Sequence, residues 1–180
     1  MKKISFLLIL ITCVGIGITL SCEPDDICSA GTSTTPNLII EAYDVNNPEN
    51  IKAITKLVIG GIGNDFILTN GIISASKIEL PLKTDANTTQ YILIKDAFIN
   101  TNGTPDDTND DFYDGNIDTI TINYTREEVY VSRACGYKTI FQNVTFVIEP
   151  DGDNWIKSRQ PLNDNQSVEN ETETHFNIFH

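Results

Sequence analysis

Nowhere after residue 22 does the chain offer an apolar stripe at helical spacing longer than the one or two turns available to Pro48–Lys56. What it offers instead is short runs of Ile, Leu, Val, Thr and aromatic residues, cut at short intervals by Asn, Asp, Gly and Pro. Branched and aromatic side chains fit a pleated, half-buried surface, and the interrupting residues favour turns, so this pattern reads as strands. The runs are Leu38–Tyr43, Ala53–Ile59, Phe66–Thr69, Ile72–Leu80 and Thr89–Phe98, followed by Val129–Val131 and Lys138–Ile148. The clearest alternation is Thr119-Ile120-Thr121-Ile122-Asn123-Tyr124, with one face turned inward and the other outward. Seven to eight strands predict an all-β fold, an antiparallel β-sandwich of immunoglobulin-like type or a small barrel.

The first 22 residues carry a different message. Lys2 and Lys3 precede an apolar run, Ile4–Leu20, which ends at Ser21 and Cys22. Charge, apolar stretch and small residue in that order make a secretory signal peptide; the run is short for a spanning helix, and acidic Glu23-Pro24-Asp25-Asp26 follows it. Thr19-Leu20-Ser21-Cys22 resembles the lipobox of bacterial lipoproteins, with Thr19 where Leu is commonest. The resemblance implies that Cys22 is diacylglycerylated, becomes the mature N-terminus and anchors the protein through a lipid. Several acyl chains, at about 0.8 kcal/mol per buried CH2, make such attachment effectively permanent. Four segments are therefore expected: signal peptide 1–21, an acidic and Ser/Thr-rich tether 22–36, the β-sandwich 37–157, and a polar linker with a terminal strand, 158–180.

About 160 residues remain after cleavage, enough for one sizeable core and short for two. Loss of Lys2 and Lys3 leaves ten Lys and Arg against 25 Asp and Glu, a net charge of −15 that repels phosphate backbones and excludes nucleic acid as a partner. Of the four cysteines, Cys13 leaves with the signal and Cys22 is capped by lipid, so Cys28 and Cys135 remain. Two thiols in an exported protein predict a disulfide; buried free thiols, or a bond to a partner protein, are the alternatives.

Val131-Ser132-Arg133-Ala134-Cys135-Gly136-Tyr137-Lys138, Cys28 shortly after the lipobox, Thr35-Pro36 before the first strand and Asp153-Asn154-Trp155-Ile156 near the end together resemble an uncharacterised family of Bacteroidota lipoproteins. The resemblance spans most of the mature chain and implies an exported, lipid-anchored, β-rich domain at the outer membrane. In that group, acids just after the acylated Cys accompany transfer to the outer surface; Glu23, Asp25 and Asp26 are similar, with Pro24 interrupting them. The domain is expected to face either the periplasm or the exterior, with the membrane as a partner through the lipid and another envelope or outer-membrane protein as a candidate partner.

Chemistry is sparse. Asp106–Asp118 holds eight Asp or Asn in thirteen residues, the oxygen ligands a hard cation wants. Set on an EF-type loop, Asp107, Asn109, Asp111 and Asp118 take the first, third, fifth and twelfth places as candidate calcium ligands, but Phe112 stands where the turn requires Gly. A solvated turn cluster joining two strands is the plainer expectation. His175 and His180 are five apart, on opposite faces of a strand, and are expected to be exposed. Glu127 and Glu128 are adjacent, so they cannot flank one glycosidic bond. Trp155, Tyr91, Tyr124, Tyr130 and Tyr137 are read as strand residues packing the sandwich, with a sugar- or protein-binding patch as the alternative. The expectation is a non-catalytic binding or structural module that needs no cofactor. A carboxylate-dependent envelope glycan hydrolase, which needs a cleft with one carboxyl of raised pKa, and a calcium-dependent adhesion module are the alternatives.

Overall fold

A computed structural model describes residues 27–32, 34–63, 67–162 and 166–180; the expected signal peptide, the expected lipidation site Cys22 and residues 23–26 lie outside the described residues. Among the described residues there are ten strands and no helix. They are β1 (Leu38–Asp44), β2 (Asn47–Ile51), β3 (Ile54–Gly61), β4 (Ile73–Ala75), β5 (Lys77–Leu80), β6 (Thr88–Asn100), β7 (Phe112–Ser132), β8 (Gly136–Ile148), β9 (Ser158–Pro161) and β10 (Phe176–Phe179). Two compact units make up the chain: among the described residues, 27–32 with Val129–Lys138 form one, and 34–128 with 139–180 form the other.

The larger unit is a β-sandwich of two open five-stranded sheets, not a closed barrel. One sheet runs β2-β1-β10-β9, with β5 lying along the same edge of β1 as β2; the other runs β4-β3-β6-β7-β8. The last strand is inserted beside the first. Ile40 faces Phe176 and Ala42 faces Ile178 in the parallel β1–β10 pair, whereas β1 pairs antiparallel with β2 and β5. Strict alternation sends Thr89, Tyr91 and Leu93 of β6, and Asp118, Ile120, Ile122 and Tyr124 of β7, to the interior. There they meet Leu38, Ile40, Phe141, Phe146, Phe176 and Ile178 in one cluster. Ring contacts order it: Tyr124 stands edge-on to Phe141 at 4.9 Å and Phe146 lies 5.5 Å from Phe176.

Where the architecture departs from expectation, the cause is local. Pro48–Lys56 holds edge strand β2 rather than helical turns, because a fully exposed edge tolerates Pro and polar residues. The single expected run Ile72–Leu80 is split: β4 pairs with β3, β5 pairs with β1, and Ser76 carries the chain from one sheet to the other, its carbonyl accepting from Ala42 N–H at 2.8 Å. Of the expected strand Phe66–Thr69, Ile67 makes an isolated bridge to Gly60, and Phe66 lies outside the described residues. Residues 158–180 end in the expected terminal strand, β10, and contribute β9 as well. Val168, fully buried, pins the polar stretch by exchanging two backbone bonds with Phe141 at 2.7 and 3.1 Å.

Gly115 shows how tightly β6 and β7 approach. The β6 register shifts between Lys95 and Phe98, with Asp96 at φ 54°, and Gly115 sits opposite this bulge. A Cβ at Gly115 would lie 2.8 Å from the Lys95 carbonyl oxygen and 2.9 Å from Ile94 Cγ2. Only glycine fits there.

Candidate functional site

The smaller unit is built around the expected disulfide. Cys28 and Cys135 are bonded with their Cα atoms 4.9 Å apart, across a sequence separation of 107. Cys135 occupies the turn between β7 and β8, where its N–H donates to Ser132 Oγ at 3.1 Å and Gly136 takes φ 70° to reverse the chain. On the Cys28 side a tight turn forms, with Thr32 N–H donating to the Ser29 carbonyl at 3.0 Å and the two hydroxyls 2.8 Å apart. A cleft of about 490 Å³ opens between the two segments, lined by Ile27, Ser29, Thr32, Tyr130, Ser132 and Arg133.

Its aromatic residues are out of the ordinary. Tyr130 and Tyr137 stack edge to face at 5.5 Å and 70°, yet remain 58% and 67% exposed; Ile27 is 81% exposed. The other three aromatics read from the sequence are core residues. Tyr91 donates to the Pro81 carbonyl, and burial raises its hydroxyl pKa to about 12. Tyr124 bonds the Lys83 carbonyl at 2.9 Å and the Thr89 hydroxyl at 2.6 Å, and Trp155 Nε1 donates to the Leu93 carbonyl at 3.2 Å.

The acidic run is divided by the start of β7. Asp107 caps its own turn, its Oδ1 accepting from Asn109 N–H at 3.0 Å and Asn109 Nδ2 at 2.6 Å. Asp110 accepts from Thr104 Oγ1 at 2.7 and 2.9 Å and from Asn102 Nδ2 at 3.3 Å. These bonds favour the ionised forms, so both carboxyls titrate below their ordinary value. Asp111 is half-buried with Oδ1 unpaired. Asp118 is elsewhere. Six residues of strand, at about 3.3 Å each, carry it about 20 Å along β7 from Phe112, and it is fully buried opposite Leu93. Its oxygens accept from Trp155 N–H at 3.0 Å and Ile156 N–H at 2.8 Å. The expected ligand set Asp107, Asn109, Asp111, Asp118 is therefore not assembled, and no group of three or more His, Cys, Asp or Glu among the described residues is arranged to hold a metal ion. The expected connecting loop is shortened to residues 101–111, because Asp114 and Asn116 pair with β6 in spite of their turn-forming nature.

Burial raises the Asp118 pKa, outweighing the two N–H bonds that favour the carboxylate. This is the raised carboxyl a hydrolase would need, but both oxygens are engaged by main chain inside the core. Its role is to clip the segment after β8 onto β7.

The histidines overturn the exposed reading. His175 and His180 are 2% and 5% exposed. His175 Nδ1 accepts from Ile39 N–H at 2.9 Å while the His175 backbone N–H donates to the Ile39 carbonyl, also at 2.9 Å. His180 Nε2 donates to the Lys52 carbonyl at 3.2 Å, leaving Nδ1 to accept from Lys95 Nζ at 3.3 Å, and its ring stands edge-on to Trp155 at 5.7 Å. Desolvation lowers both pKa values. These are neutral core residues that bracket β10, and polar type alone gave no signal of it. Glu127 and Glu128 are both exposed.

No curated protein and no solved structure matches the chain. Residues 56–180 match the family model of DUF6452, described as a family of unknown function, and the chain belongs to that family.

Proposed function

We propose that the protein is an exported lipoprotein, acylated at Cys22 and held at the outer membrane of a Bacteroidota-type cell envelope, whose β-sandwich serves as a non-catalytic binding or structural module. The observation that carries this reading is the Cys28–Cys135 disulfide. Stable disulfides belong to oxidising compartments, and cysteine use closes if Cys13 leaves with the signal and Cys22 bears lipid. The order Lys2-Lys3, Ile4–Leu20, Ser21-Cys22 supports the same route. The non-catalytic reading is supported by the buried, main-chain-bonded state of Asp118 and of both histidines.

Mass spectrometry of the mature N-terminus tests the anchor. The expected result is an acylated Cys22, with a Cys22→Ala protein that no longer partitions with membranes. An unmodified terminus downstream of Cys22, or a Cys22→Ala protein that sediments like the wild type, overturns the reading.

A further inference from the structure

We propose that the disulfide-locked unit is a membrane-interface foot, laying Tyr130, Tyr137 and Ile27 into the headgroup layer of the bilayer that holds the Cys22 acyl chains. The inference rests on the Cys22 anchor proposed above.

Reach is the first argument. Cys28 lies six positions after Cys22, and a fully extended chain spans at most about 3.6 Å per residue, so Cys28 stands within about 22 Å of the acylated residue. The disulfide then fixes Cys135, with its Cα 4.9 Å from that of Cys28, in the same zone. A hairpin more than a hundred residues along the chain is thereby bound to the lipid-proximal end.

The second argument is what that hairpin displays. Tyr130 and Tyr137 keep more than half of their surface in water although they are already ordered against each other, and Ile27 keeps four-fifths of its own. Tyrosine, with an apolar ring and a polar tip, is the side chain suited to the boundary between headgroups and acyl chains. A rigid, pre-stacked pair loses little conformational freedom on entering it.

Charge is the third. Val129–Lys138 contains Arg133 and Lys138 and no acid, in a chain whose mature net charge is −15. Glu23, Asp25 and Asp26 of the tether and Glu127 and Glu128 just before the hairpin are acidic. The rings therefore carry the docking, and the acid-free tip permits close approach to an anionic surface without adding repulsion of its own.

The test uses the full acylated protein in vesicles of phosphatidylethanolamine and phosphatidylglycerol, with and without lipids brominated high on their acyl chains. Trp155 is the only native tryptophan and is 4% exposed, so it supplies an unquenched background. In Tyr137→Trp the added indole should emit at shorter wavelength in vesicles than in detergent-free buffer and lose about half of its intensity to bromine, as an interfacial ring does. Ile27→Trp is a second reporter should the first disturb the stacked pair. Flotation is measured on the same samples. If the protein floats but neither indole is quenched, the foot is wrong and the anchor stands. If it does not float, anchor and foot fall together. If the indoles are unquenched in vesicles yet protected from aqueous quencher in whole envelopes, the surface belongs to a protein partner and the proposal is overturned.

Discussion

Asp107 and Asp118 belong to one acidic run, eleven residues apart, and end in opposite surroundings. Asp107 faces water and is satisfied by its own turn through Asn109. Asp118 is sealed in the core with both oxygens on the main chain of Trp155 and Ile156. Composition does not separate them; pairing does. From Phe112 onward the run is in register with β6, and each residue is assigned a face by the pleat: Ile117 outward, Asp118 inward, Ile120 inward. Once inward, a carboxylate persists only if its lone pairs are filled, and the segment after β8 arrives with two main-chain donors that would otherwise be orphaned. The contrast teaches that a buried acid here is a fold-closing bond, whereas an acid of the same run eleven residues earlier is a turn device.

Removing the buried member should have the larger effect. In Asp118→Ala the Trp155 and Ile156 N–H groups lose charged acceptors inside the core, and hydrogen bonds to charged groups are worth about 1.5–3 kcal/mol each, so a loss of about 3 kcal/mol is expected. Urea unfolding followed by the fluorescence of Trp155 would record it. The same denaturation of Asp107→Ala should move the midpoint only slightly, because the turn bond it removes faces water. Equal midpoints for the two variants would erase the distinction drawn here.

How much of this was legible in the sequence follows from the same physics. The strands with branched or aromatic alternation, β1, β3, β6, the second half of β7 and β8, announce themselves because their side chains state which face is buried. The disulfide was expected from the sequence only on the reading that Cys13 leaves with a signal and Cys22 bears lipid, with free thiols as the alternative; the bond between Cys28 and Cys135 is present. What was hidden is whatever depends on a distant partner. Asp114 and Asn116 look like turn residues until β6 supplies a ladder; Ser158–Pro161 looks like coil until β10 lies beside it; Ile72–Leu80 looks like one strand because the sheet change at Ser76 has no compositional mark. His175 is a polar residue held inside by a pair of long-range bonds to Ile39, across 136 residues of sequence.

The second way to sharpen the contrast is pH, because the two kinds of acid act with opposite sign. Asp118 is raised by burial, so the folded state holds its proton more tightly than the unfolded state; its contribution is present at low pH and is lost as pH rises from the unfolded value through the folded one. Asp107 and Asp110 are lowered by their turn bonds, so their contribution is present above the unfolded value and is lost as pH falls through the folded one. His175 and His180, lowered by burial, add stability above their ordinary value of 6.5 that is lost as pH falls below it. Unfolding free energy measured across the acid range in the wild type and in Asp118→Asn should therefore diverge in slope above pH 3.8, the ordinary Asp value, with the wild type rising less steeply than the variant. Parallel curves would mean that Asp118 is not perturbed by burial.

The smallest effect is expected from calcium, and it bears on the exposed side of the comparison. A calcium site needs six to eight oxygens converging at 2.3–2.6 Å. In residues 101–111 two of the acids are already engaged locally, Asp107 on Asn109 and Asp110 on Thr104 and Asn102, which leaves the buried Asp111 Oδ1 as a single unpaired oxygen with no shell around it. Asp118, the twelfth position of the sequence pattern, is about 20 Å of strand away. To gather a coordination shell the loop would have to break its turn bonds and recruit water for most ligands, so weak binding or none is expected, with a shift in Tm at 1 mM calcium of under about 0.5 °C. Calorimetric titration, repeated on Asp107→Ala/Asp111→Ala, reads this directly. Saturable micromolar heat that vanishes in the double variant would show that the exposed acids are ligands held in reserve, and that the division between turn device and fold-closing bond omits a third role.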